Sequence, residues 1–111
     1  MAEPKEKSLS EIKAEILKCL KELGVEVEKI ILFGSRARGD SSSSSDYDFL
    51  IITTQTFPIK EKMAIAQKLS QSLARLLIST DIIIKSRPEV ERLKQEIGTV
   101  VREALKEGVE I

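Results

Sequence analysis

GSRARGDSSSSSDYDFLII, residues Gly34–Ile52, is the stretch on which the reading of this chain turns. It joins a glycine-serine turn, through a connector with five serines, to two aspartates at the head of an apolar run. Upstream, VEVEKIILF alternates and then becomes continuously apolar from Ile30 to Phe33, which suits a strand covered on both faces and ended by Gly34. Downstream, DYDFLIIT is rich in β-branched and aromatic residues and reads as a second strand. Successive strand side chains alternate between faces, so Asp46 and Asp48 project from one side, about 7 Å apart at the backbone, while Tyr47, Phe49 and Ile51 pack on the other. Two anions at that spacing repel by about 2 kcal/mol at an effective dielectric near 20, and burial adds a desolvation cost. A cation between them is expected, and Mg²⁺ suits hard carboxylate ligands completed by water and substrate phosphates. Taken alone, the same spacing also arises where one aspartate caps a turn and the other faces solvent. Gly34-Ser35 shifts the balance: glycine lets the backbone approach a ligand, and a serine hydroxyl with the amides of a short helical turn through Ala37 can hold phosphate.

Working outward, SLSEIKAEILKCLKELG begins with Ser8 three residues before Glu11, a capping box, and stops at Gly24. Leu9, Ile12, Ile16, Cys19, Leu20 and Leu23 recur at helical spacing, so one stripe faces a core and Cys19 reads as a small core residue. After the second strand, Pro58 precedes a helix whose apolar face is Met63, Ile65, Ala66, Leu69, Leu73, Leu76 and Leu77. TDIIIKS follows as a third strand. Pro88 opens a final helix expected over about residues 89–106, striped by Val90, Leu93, Ile97, Val100, Val101 and Leu105 and ended by Gly108. The last residues, VEI, are expected to add a weak edge strand or to fray. The order predicts an α/β (α+β) layer fold with a small mixed sheet of three to four strands flanked by helices, as a single domain over residues 1–111.

Composition narrows the chemistry. The chain of 111 residues is 41% hydrophobic and 32% charged, a balance that folds rather than one that stays disordered. Eighteen basic and eighteen acidic residues cancel, so there is no global field to draw the protein onto nucleic acid or an anionic membrane. One cysteine makes no internal disulfide, and no stretch is apolar enough for a signal peptide or a membrane span, so a cytoplasmic protein is expected. With no histidine, general acid-base work and metal ligation fall to carboxylates, hydroxyls, lysine and arginine. Arg38-Gly39-Asp40 spells an adhesion tripeptide, read as coincidence in such a chain. The serines of 41–45 read as a flexible polar connector.

Gly34-Ser35, ten intervening residues and Asp46-x-Asp48 resemble the GSx10DxD signature of the polymerase-beta-like nucleotidyltransferase superfamily. The fuller GSRARGD and SDYDFLI resemble its minimal nucleotidyltransferase branch, the branch paired with HEPN-type partners in toxin-antitoxin systems. The resemblance implies the polymerase-beta-like fold. It also implies transfer of a nucleoside monophosphate, AMP from ATP, to an acceptor hydroxyl with release of pyrophosphate. The family uses a third carboxylate on a neighbouring strand, and Asp81 at the head of TDIII takes that place. By the same resemblance Asp46, Asp48 and Asp81 form the catalytic and metal-binding set for two Mg²⁺ ions about 4 Å apart, with Asp81 also able to take the acceptor proton. Gly34 and Ser35 hold the β- and γ-phosphates, and Arg36, with Arg38 beside it, neutralises pyrophosphate. The implied acceptor is a tyrosine of a HEPN-type toxin, with the chain as its antitoxin.

Two other classes fit the same residues. A non-catalytic nucleotide-binding module would mask its partner sterically, and the catalytic subunit of a split small-molecule nucleotidyltransferase would take its acceptor site from a separate chain. A homodimer or a helical partner is expected to cover the apolar surface that so small a sheet leaves, and nucleic acid is not expected as a partner.

Overall fold

Ser8 starts the first helix for the reason its spacing predicts: its side chain accepts from the Glu11 amide while the Glu11 carboxylate accepts from the Ser8 N–H. A computed structural model describes residues 8–39 and 45–111. Within them the elements run α1 (Leu9–Glu22), β1 (Val27–Phe33), α2 (Ser35–Arg38), β2 (Tyr47–Thr53), α3 (Ile59–Ala74), β3 (Thr80–Ser86), α4 (Arg87–Leu93), α5 (Val100–Glu107) and β4 (Val109–Glu110). The four strands form one mixed sheet in the order β3-β2-β1-β4. β2 lies antiparallel to β1 and parallel to β3, and β4 adds a short antiparallel edge to β1.

Each face of the sheet carries its own apolar layer. On one, Phe49, Ile51, Ile82 and Ile84 pack against Ile12, Ile16 and Leu20 of α1 and Ile65, Leu69 and Leu73 of α3. On the other, Ile31, Phe33, Leu50 and Ile52 pack against Val90 of α4 and Val101 and Ala104 of α5. β2 is covered on both sides, and Phe49, Leu50 and Ile51 have no exposed surface. That explains why its sequence is continuously apolar rather than alternating. Cys19 lies on the buried stripe of α1, where burial raises its thiol above the ordinary range, so it is a core residue and not a reactive thiolate.

The expected single C-terminal helix is two helices. Gly98 sits at φ 85, in the left-handed region that glycine adopts without penalty. Thr99 then restarts the chain by accepting from the Arg102 amide, and its hydroxyl can donate to the carbonyls of Leu93 or Glu96. Ile97, placed on the apolar stripe by a continuous helix, is instead 86% exposed in the turn. The stripe of α3 is also narrower than its spacing suggests: Ile65, Leu69 and Leu73 are buried, whereas Met63 lies on the outer side and Leu77 falls beyond the helix end. Gly108 ends α5 through space rather than through φ, since a Cβ there would lie 2.2 Å from the Ala104 carbonyl and 2.4 Å from Ile31.

Lys62 of α3 and Glu89 of α4 are ion-paired, which ties the layers on the two faces together. Burial pushes the Glu89 carboxyl up, but the Lys62 ammonium and the amide and hydroxyl of Ser86 outweigh it and hold the group down at about 2, against an ordinary 4.5. A carboxyl depressed on folding contributes stability that is complete above its unfolded value and lost as pH falls through its folded one. Glu89→Gln is therefore expected to cost about 1–2 kcal/mol at neutral pH, allowing for solvent screening. Urea unfolding should show that difference shrinking between pH 4.5 and about 2. An unchanged difference across that window would refute the assignment.

Leu77 closes α3 in a Schellman arrangement, its amide bonded to the Ala74 carbonyl and the Ile78 amide to that of Leu73. It does so at φ 63 with its side chain 92% exposed, in a position that usually belongs to glycine. Leu77→Gly loses no packing and relieves the left-handed strain, so a gain of about 0.5–1 kcal/mol and a Tm raised by a few degrees are expected. A lower Tm would show that Leu77 packs in solution.

Candidate active site

The acidic residues gather where β1 ends and β2 and β3 begin. In the parallel ladder Asp48 is the register partner of Asp81, and in the antiparallel ladder it faces Phe33, the last residue before Gly34. Asp48 and Asp81 therefore share the face covered by α4 and α5, because their neighbours Phe49 and Ile82 point into the opposite layer. Asp46 precedes β2 with the same parity and is exposed, as is Asp81, whereas Asp48 is half-buried.

Gly34 is required at its position twice over. Its φ is 75, and a Cβ on it would stand 2.2 Å from Oδ2 of Asp48, so any side chain would collide with the carboxylate. The chain then makes one helical turn, with the Ala37 and Arg38 amides both bonded to the Gly34 carbonyl and Gly39 closing back onto Ser35 at φ 81. Ser35 is half-buried at the head of that turn.

The two arginines of the turn go to opposite places. Arg36 sends Nε and Nη2 to the Ser45 carbonyl at 3.1 and 2.9 Å, and its guanidinium lies over the Tyr47 ring at 4.2 Å. Tyr47 stacks in turn on Phe49. The phosphate-binding arginine of the sequence reading is thus placed at the end of the connector, over the ring on the face of β2 opposite Asp48. Arg38 instead donates Nη1 to both carboxylate oxygens of Glu107, at 3.1 and 3.2 Å. Glu107 Oε1 also accepts from the Gly34 N–H at 3.3 Å. Sequence reasoning passed over Glu107, and no local signal marks it, since its partners lie 69 and 73 residues away. Asp40 and Ser41–Ser44, with the end of the adhesion-like tripeptide and most of the serine connector, lie outside the described residues.

Electrostatics single out Asp48. Burial, then the charge of Asp81, then that of Asp46, raise its carboxyl above the ordinary 3.8; Arg38 opposes them and Glu107 adds to them. This is the signature of a partly desolvated carboxylate with other anions held close. The donor set, all hard carboxylate oxygen, fits Mg²⁺. Among the described residues no three carboxylates already converge into a closed metal site. No helix among the described residues is long and apolar enough to cross a membrane.

The family model described as polymerase beta, nucleotidyltransferase matches residues 14–111. A candidate protein adenylyltransferase of Methanocaldococcus jannaschii is 37% identical over 76 residues, covering 68% of this chain and 70% of that protein. Among solved structures, a toxin-antitoxin complex with AMP-PNP superposes with a TM-score of 0.61 at 21% identity, over 88% of this chain and 70% of the other. A candidate nucleotidyltransferase of Sulfolobus solfataricus superposes at 0.53 with 24% identity, over 98% and 90%. An AMPylated Shewanella oneidensis HEPN toxin in complex with its MNT antitoxin contains a chain that superposes at 0.53 with 19% identity, over 91% and 69%. At these identities the structural likeness concerns the fold.

The raised carboxyl has a thermodynamic consequence. An acid whose pKa rises on folding makes ionisation costly to the folded state, a cost absent below the unfolded value of 3.8 and complete above the folded one. Asp48→Asn should therefore raise the Tm of the ligand-free protein by a few degrees at pH 7, with the gain fading as pH falls into the carboxylate range. A destabilised Asn variant at pH 7 would show that Asp48 makes structural bonds outweighing the repulsion.

Proposed function

This chain belongs to the polymerase beta nucleotidyltransferase family and is a nucleotidyltransferase, and we propose that it transfers AMP from ATP to a hydroxyl of a protein partner. The observation that carries the reading is the pairing of Asp48 with Asp81 in register, with Gly34 closed against the Asp48 carboxylate. Residues 1–111 act in this reading as one minimal nucleotidyltransferase domain, in the cytoplasm.

Asp46, Asp48 and Asp81 would hold Mg²⁺, which when bound supplies charge neutralisation between the carboxylates and the phosphates. The acceptor oxygen attacks the α-phosphorus, a new phosphorus-oxygen bond forms, and the bond to the bridging oxygen of pyrophosphate breaks. Asp81, exposed beside Asp48, takes the proton that the acceptor hydroxyl loses. Gly34 and Ser35 receive the β- and γ-phosphates on the turn. Arg36 contributes by anchoring the connector end and by lending positive charge to that turn, with Arg38 nearer the acids.

The acceptor proposed is a tyrosine of a HEPN-type helical toxin, which this chain would neutralise as an antitoxin. Support comes from the adenylyltransferase relative and from the fold shared with a chain of each of two toxin-antitoxin complexes. Ile59 and Met63, exposed on α3, offer apolar surface for such a partner or for a second copy of the chain.

Incubation of the protein and a HEPN-type genomic neighbour with ATP and Mg²⁺, followed by intact-mass spectrometry, should show adenylyl additions on the neighbour. Asp48→Asn and Asp81→Asn should each reduce the rate at least about a hundredfold, the scale of losing a positioned catalytic group. Tight binding of the neighbour with no mass gain would make the chain a masking module and overturn the transferase reading.

A further inference from the structure

Glu107 makes contacts that a phosphate would want. One of its carboxylate oxygens accepts from the Gly34 N–H at 3.3 Å, and both accept from Nη1 of Arg38 at 3.1 and 3.2 Å. It reaches them from the last position of α5, beside the point where β4 pairs with β1, so the helix end is anchored to the sheet that carries the acids. Its side chain is 29% exposed, and its charge is close enough to Asp48 to push that carboxyl upward. An anionic oxygen thus already rests on the turn, within electrostatic reach of Asp48.

We infer that Glu107 is a specificity-determining residue, an internal carboxylate that stands in for a phosphate group on the Gly34 amide and Arg38 and that the incoming nucleotide must displace. The inference rests on the nucleotidyltransferase reading and adds a residue to it. A polyphosphate set against a fixed carboxylate is repelled at short range, and the repulsion is strong in a half-buried site. The phosphates therefore gain Arg38 and the amide only when Glu107 gives them up. A singly charged small anion has little to offer in that exchange. A polyphosphate carried with a divalent cation brings both the negative charge that Arg38 accepts and the positive charge that the aspartates need. Glu107 in this way makes anion capture by the turn conditional on a metal-loaded polyphosphate.

Isothermal titration of the full chain with ATP plus Mg²⁺ and with inorganic pyrophosphate, for the native protein, Glu107→Gln and Glu107→Ala, tests this. Gln keeps an oxygen that can accept from Arg38 and the Gly34 amide but removes the charge. It should tighten ATP binding about tenfold, with a larger relative gain for pyrophosphate without metal. Adding Arg38→Met to Glu107→Gln should cancel the gain. Ala should also bind more tightly than the native protein if it melts cooperatively; if it does not fold, the Gln variant decides. ATP binding that is unchanged or weaker in Glu107→Gln, with the native protein binding normally, would make Glu107 a structural tether and defeat this inference alone. Failure of ATP to bind the native protein and both variants would defeat the nucleotidyltransferase reading along with it.

Discussion

The rest of the molecule depends on β2 being held in the middle of the sheet with both ladders paired and both faces buried. Phe49, Leu50 and Ile51 expose no surface, and each hydrogen-bonding edge of the strand is taken, by β1 on one side and β3 on the other. Moving the register by one residue would send Phe49 and Ile51 into the α4-α5 layer and turn Asp48 toward α1 and α3, so the two apolar layers lock it. Because the register is locked, the acids at the head of the strand have fixed neighbours. Asp81 is beside Asp48 on one side, and the end of β1, with Gly34, is on the other.

This fixed position is also what makes the site costly. Apolar packing brings Asp48 into a half-buried place with other acids nearby, and its carboxyl rises as a result. Side chains elsewhere in the fold relieve such strain by pairing, as Lys62 does for Glu89. At Asp48 the Arg38 charge opposes those of its neighbours, and Arg38 is shared with Glu107. Sites that must accept charged ligands commonly keep unrelieved charge of this kind, because full neutralisation in the empty state would leave the ligand nothing to gain. The glycine at position 34 belongs to the same logic: the absence of a Cβ leaves room for the Asp48 carboxylate against the backbone.

The turn after β1 divides its two arginines by periodicity. Residues two apart on a helical turn point in different directions, so Arg36 reaches the Tyr47 ring and the Ser45 carbonyl, while Arg38 reaches α5. Arg36 fixes the point where the connector rejoins β2, and hence the start of the strand that follows Asp46 and carries Asp48. A cation-π contact with two hydrogen bonds to one carbonyl is a rigid tether for a long side chain. Arg38 faces the acids and stays in the electrostatics of the site.

Local pattern was enough for the elements themselves. The capping box at Ser8, the two apolar runs around the serine connector, the strand at TDIII and the weak final strand all stand where residue type and spacing put them, because caps, alternation and β-branching act within a few residues. The break at Gly98 was not, because a single glycine inside a periodic pattern is compatible with a continuous helix, and only the packing of Val90 and Val101 on one sheet face selects the bend. The pairing of Asp48 with Asp81 needed the parallel register of β2 and β3, and the contact of Glu107 with Gly34 and Arg38 needed α5 to end against β1. Sequence alone determined which groups the protein has for its chemistry. Their meeting was decided by the tertiary structure, since charges 33 to 69 positions apart along the chain are brought together by burial of apolar surface that carries no charge itself.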